Sequence, residues 1–168
     1  MIIYLVGFMG SGKSTYGKMM AEETGYSFID LDQEIEGQYK MTIPELFEKE
    51  GQDNFRIIES QVLKGLILNE NQIVACGGGT PCYLDNMSHI LDQGTVVYLK
   101  YFEKELVARL ENDDTERPML QEDETLENVV YKLLRKRAVH YHRADLVINP
   151  ELVPPAELLA LLVANSSQ

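Results

Sequence analysis

From end to end, short continuous apolar runs alternate with longer stretches in which apolar positions recur every three or four residues. The runs are Ile2-Ile3-Tyr4-Leu5-Val6, Ser27-Phe28-Ile29, Ile73-Val74-Ala75-Cys76, Thr95-Val96-Val97-Tyr98-Leu99 and Leu146-Val147-Ile148. They are rich in β-branched residues and apolar throughout, as strands covered on both faces are, so the pattern predicts five parallel strands. Helices are expected between them at 14–24, 31–38, 43–50, 53–69, 83–92, 103–110, 124–142 and 155–164. This βαβ alternation has no internal repeat and no Pro- or Ser-rich linker, which predicts one α/β domain over residues 1–168. In 124–142 the stripe Leu126, Val130, Leu133 runs into Arg137, a cation where another core residue would fall. The segment 111–123 sets Glu111, Asp113, Asp114, Glu116, Glu122 and Asp123 against one base, Arg117. It contains Pro118 and no sustained period, and reads as a mobile loop between helices.

Composition narrows the class. With 168 residues, 45% of them hydrophobic, the chain buries a core without disulfides or a structural metal. Cys76 and Cys82 match no zinc or redox spacing and suit a reducing cytosol. A formal net charge of −12 excludes a nucleic-acid partner, whose binding depends on clustered Lys and Arg, and favours small-molecule chemistry. The apolar stretch Ile2 to Met9 is too short to span a membrane and lacks the flanks of a secretory signal, so a cytoplasmic location is expected. His89, His140 and His142 form no ligand pattern and read as surface or structural residues.

Gly7-Phe8-Met9-Gly10-Ser11-Gly12-Lys13-Ser14 fits G-x-x-x-x-G-K-[ST] between an expected strand and an expected helix, the context a P-loop requires. Its glycines let successive backbone N–H groups curl around a phosphate at the helix N-terminus. Lys13 would reach the β- and γ-oxygens, and Ser14 would offer a hydroxyl to Mg²⁺. The motif fixes nucleotide binding but not the phosphate acceptor.

Asp30 and Asp32 stand at the end of the second strand, where extended-chain alternation would point both carboxylates to one side. One could serve the metal and the other the proton of an acceptor hydroxyl; alternatively Asp30 with Gln33 is a helix capping pair. Gly77-Gly78-Gly79 follows the third strand and permits close backbone approach by a ligand, or is simply a flexible turn. No acidic residue ends that strand, which leaves Asp30 as the nearest metal-side candidate. Arg56 projects beside the stripe Phe55, Ile58, Val62 and could hold a substrate carboxylate together with Arg137; otherwise it pairs with Glu59 on the surface, and Arg137 snorkels at a helix C-terminus. Arg117 is placed to fold over the nucleotide, or is a solvated loop charge.

Taken together, these residues resemble the shikimate kinases over nearly the whole chain. The resemblance rests on GFMGSGKST, Phe28-Ile29-Asp30-Leu31-Asp32 with Ile35-Glu36, Gly51 with Phe55-Arg56 and Glu59, Gly77-Gly78-Gly79, Arg117-Pro118 and Lys136-Arg137. It implies a three-layer α/β/α fold of the nucleoside-monophosphate-kinase type, its five-stranded parallel sheet ordered 2-3-1-4-5. It also implies a lid at about 111–123, an acceptor-binding segment at about 32–62, and ATP-dependent phosphorylation of the 3-hydroxyl of shikimate by a monomer. Carried over by position, Gly10, Ser11, Gly12, Lys13, Ser14 and Thr15 hold ATP, Ser14 binds Mg²⁺, and Asp30 acts on the metal through water. Asp32 accepts or orients the hydroxyl, Arg56 and Arg137 hold the carboxylate, and Gly77, Gly78 and Gly79 border the acceptor. Phe47 and Phe55 wall its ring, and Arg117 reaches the transferring phosphate. Met119 stands where leucine is usual after Arg-Pro, and whether Arg109 or backbone recognises the base is open. A kinase for another polyol acid, such as gluconate, and a nucleotide switch that recruits a partner are the alternatives, which acceptor-dependent ADP release separates.

Overall fold

The computed structural model describes residues 1–112 and 125–165; Arg117 and all of 113–124 lie outside the described residues. Five strands, β1 (Ile2–Val6), β2 (Ser27–Asp30), β3 (Gln72–Ala75), β4 (Thr95–Leu99) and β5 (Leu146–Ile148), form one parallel sheet ordered β2-β3-β1-β4-β5. The helices are α1 (Lys13–Thr24), α2 (Leu31–Tyr39), α3 (Ile43–Gly65), α4 (Asn86–Gln93), α5 (Glu103–Glu111), α6 (Leu126–Tyr141) and α7 (Pro155–Asn165), with a 3₁₀ turn at Thr80–Cys82.

Strand alternation divides the core in two. Tyr4, Val6, Val74, Val96 and Tyr98 face α2 to α6, whereas Ile3, Leu5, Ile73, Val97 and Leu99 pack against α1 and α7. The fold is therefore the expected three-layer α/β/α arrangement, with five helices on one face and two on the other among the described residues. Among the described residues, no helix is long and apolar enough to cross a membrane.

The segments expected as separate helices at 43–50 and 53–69 form one element, α3, that ends at Gly65 and breaks at Gly51 (φ 73°, ψ 169°). Its start is fixed by a capping box: Thr42 N–H donates to Glu45 Oε2 at 2.7 Å, and Glu45 N–H donates to Thr42 Oγ1 at 3.4 Å. A second difference lies nearer the site. The chain does not stay extended to Asp32, because the Asp30 carboxylate accepts from Asp32 N–H at 3.1 Å and Gln33 N–H at 3.5 Å and turns it into α2. Capping is thus one function of Asp30, and Asp32 lies in the first turn of α2.

Candidate active site

The carboxyl ends of β1, β2 and β3 open into a cleft of about 880 Å³ lined by Gly10, Gly12, Lys13, Ser14, Thr15, Asp30 and Asp32. Positive φ at Gly10 (79°) and Gly12 (76°) curls the loop, and no side chain among the described residues caps the N-terminus of α1. Its first N–H groups are therefore available to an anion. Ser11 is buried behind the loop, while Ser14 and Thr15 are exposed in the cleft. Lys13 is buried, its Nζ donating to the Gly7 and Phe8 carbonyls at 3.0 Å each. Burial pushes its ammonium down to about 8, with Asp32 opposing the shift, so Lys13 stays cationic at neutral pH.

Asp32 carries the opposite perturbation. Burial, reinforced by Glu59 and Asp30 and opposed by Lys13, pushes its carboxyl up to about 6. A carboxylate ionised at neutral pH yet that basic is suited to take a proton. Ser14, Asp30 and Asp32 supply only oxygen donors, and no cluster of three or more His, Cys, Asp or Glu among the described residues could cage a metal. That sparse oxygen set fits Mg²⁺, which keeps several waters and takes further ligands from phosphate.

A second cavity of about 500 Å³ shares Met9, Ser14, Asp30, Asp32, Gly77 and Gly78 with the first, so the two are continuous. Its far side holds Phe47, Phe55, Arg56, Glu59, Gly79 and Arg137. The Phe47 and Phe55 rings lie 4.2 Å apart, and the Arg56 guanidinium sits 5.2 Å from the Phe55 ring and 4.6 Å from that of Tyr83. The Arg56–Glu59 pair exists at 2.7 Å, but it is buried rather than on the surface, with side chains 6% and 1% exposed. Arg137 is likewise buried against Phe8 instead of snorkelling. Arg56 Nε and Arg137 Nη1 have no hydrogen-bond partner among the described residues. Two buried guanidiniums thus line one cavity, and a cation buried there without a full set of hydrogen bonds favours an anion beside it.

Two residues near the site, Tyr141 and Thr80, escaped the sequence reading, whereas Arg109 was already a candidate. Tyr141 donates its hydroxyl to the Gly78 carbonyl, and its spacing four residues after Arg137 on α6 was a usable signal. Thr80, which donates to Glu59, gave no signal beyond following three glycines. Arg109 Nε donates to the Gly10 carbonyl at 2.8 Å, which puts this side chain at the phosphate loop.

Known proteins are similar to this chain in sequence and fold. A shikimate kinase from Parabacteroides distasonis is 40% identical over 151 residues, covering 89% of this chain and 87% of that protein. The structure of a shikimate kinase from Acinetobacter baumannii in complex with shikimate superposes with a TM-score of 0.90 at 35% identity, covering 99% of this chain and 95% of that one. A gluconokinase from Sinorhizobium meliloti shares the fold alone, at 21% identity, a TM-score of 0.55 and coverage of 80% of this chain and 73% of that one. The family model described as shikimate kinase matches residues 9–165, which includes the phosphate loop from Met9 onward, Asp32 and both buried arginines, and the chain belongs to the shikimate kinase family.

Proposed function

We propose that this chain transfers the γ-phosphoryl group of ATP to the 3-hydroxyl of shikimate, giving shikimate 3-phosphate and ADP on the route to chorismate and the aromatic amino acids. The observation that carries the reading is the pair of buried guanidiniums lining a cavity that opens past Asp32 into the phosphate loop, each with one nitrogen that has no hydrogen-bond partner among the described residues. Arg56 and Arg137 bind the acceptor carboxylate, Phe47 and Phe55 wall its ring, and the Gly77-Gly78-Gly79 turn lets it approach the backbone. In this pose the 3-hydroxyl lies between Asp32 and the γ-phosphate. The acceptor oxygen bonds to the γ-phosphorus, the bond from that phosphorus to the β–γ bridging oxygen breaks, and the hydroxyl proton passes to Asp32. Lys13 exchanges the Gly7 and Phe8 carbonyls for phosphate oxygens. Ser14, and Asp30 through water, would hold Mg²⁺, which would supply neutralisation of the phosphate charge. Arg117, outside the described residues, keeps the role the resemblance gives it at the transferring phosphate. A cytoplasmic monomer is part of the same reading.

The test is ADP release with Mg²⁺ and ATP, with and without shikimate, gluconate or nucleoside monophosphates. Stimulation by shikimate alone is expected. Equal stimulation by gluconate would overturn the acceptor assignment, and no stimulation by any acceptor would overturn the kinase reading.

A further inference from the structure

A closed chain of buried polar groups stands behind the acceptor cavity. Glu59 uses its two carboxylate oxygens on different partners: Oε2 lies 2.7 Å from Arg56 Nη1, and Oε1 accepts the Thr80 hydroxyl at 2.7 Å. Thr80 is itself held, its N–H donating to the Gly77 carbonyl at 3.1 Å and its carbonyl accepting from Asn86 Nδ2 at 3.0 Å. Asn86 Oδ1 then accepts from Ser60 Oγ at 2.7 Å, which returns the chain to α3 one residue after Glu59. Thr80 and Asn86 are fully buried, so no water competes for these bonds.

We propose that Thr80 is a positioning residue for acceptor binding, acting through Glu59 to keep Arg56 donors free for the substrate carboxylate. A carboxylate and a guanidinium left alone close into a parallel two-bond pair. Here that closure would spend the donors an incoming carboxylate needs. The Thr80 hydroxyl prevents it by holding Oε1 away from Arg56. Asp32 lies against the same glycine, since a methyl group on Gly77 would lie 3.0 Å from Asp32 Oδ1 and 2.9 Å from Glu59 Oε1, and the two carboxylates repel. Without the hydroxyl, Glu59 Oε1 is free to turn to Arg56. The guanidinium cannot retreat, because it is pressed on Gly79 and bounded by Phe47, Phe55 and Tyr83.

The inference rests on the acceptor reading above, and its test keeps the two apart. Thr80→Val preserves side-chain shape and removes only the hydroxyl. It should raise the KM for shikimate, and its Kd by calorimetry, about tenfold, with kcat and the KM for ATP within about twofold of the parent. Thr80→Ser should restore shikimate affinity to within about twofold. In a Glu59→Gln background, Thr80→Val should add little. An unchanged shikimate KM in Thr80→Val, a lower Tm with kcat reduced at constant KM, failure of serine to restore, or full additivity with Glu59→Gln would each overturn the proposal. Absence of shikimate-stimulated turnover in the parent chain would overturn the acceptor reading and this inference with it.

Discussion

Lys13 and Asp32 are displaced toward each other on the pH scale, the ammonium down to about 8 and the carboxyl up to about 6, chiefly by burial in one cleft. The reaction proposed needs Asp32 ionised and Lys13 protonated, so kcat/KM should follow a bell with limbs near those two values. A rate that falls tenfold per unit only below pH 4 would remove Asp32 from the proton path. The same perturbation acts on stability. Between the ordinary carboxylate range and pH 6 the folded chain holds a proton on Asp32 that the unfolded chain has released, so this contribution is present at low pH and lost as pH rises through 6. Asp32→Asn, which cannot ionise, should therefore raise Tm at pH 7.5 by about 2–4 °C for each ~1 kcal/mol relieved, while turnover falls far more than ATP affinity. Thermal scans at pH 4.5 and 7.5 check the sign: the gain should shrink at the lower pH. A destabilised variant at pH 7.5, or equal losses of turnover and nucleotide affinity, would contradict the assignment.

At the scale of elements, α3 shows how a backbone break serves a site. Gly51 (φ 73°, ψ 169°) separates the turn carrying Phe47 from the turn carrying Phe55 and Arg56, yet the two rings meet at 4.2 Å. A side chain at Gly51 would have open space, so any cost of substitution lies in the backbone alone. Gly51→Ala should lower stability by about 1–2 kcal/mol and loosen the acceptor wall. Gly37→Ala, also in open space but inside α2 without positive φ, should raise stability by about 0.5–1 kcal/mol. Denaturant melts of the two variants should move in opposite directions; a shift of the same sign would refute the backbone argument. The five strands were readable because each is a buried, β-branched run, and the Gly51 interruption was visible as a gap between two helical stripes. Other features are invisible to local pattern. The turn from β2 into α2 is decided by Asp30 capping N–H groups two and three residues on, which extended-chain alternation ignores. The burial of the Arg56–Glu59 pair depends on Gly79, Tyr83 and Thr80 arriving from another part of the chain.

For the whole molecule, the dominant electrostatic fact is 27 acidic against 15 basic side chains, a formal −12 on 168 residues. Some of the cations are committed inside: Arg56, Arg137 and Lys13 are buried in the site, where they add little screening at the surface. The remaining surface repels itself, and that repulsion works against the compact state. Raising ionic strength from ~10 mM to ~150 mM shortens the Debye length from about 30 Å to about 8 Å, less than a domain's breadth, so it screens repulsion across the surface while leaving buried pairs nearly untouched. At pH 7.5 the ligand-free chain should gain about 1 kcal/mol or less over that range, read as a Tm rise of up to about 2–4 °C in calorimetry. The gain should shrink near pH 5, where acidic side chains begin to take up protons. The choice of salt matters, because sulfate or phosphate at the N-terminus of α1 would stabilise by binding rather than screening; sodium chloride avoids that confusion. A Tm that falls with sodium chloride would mean that surface ion pairs such as Lys64–Asp85 at 2.7 Å outweigh the net repulsion.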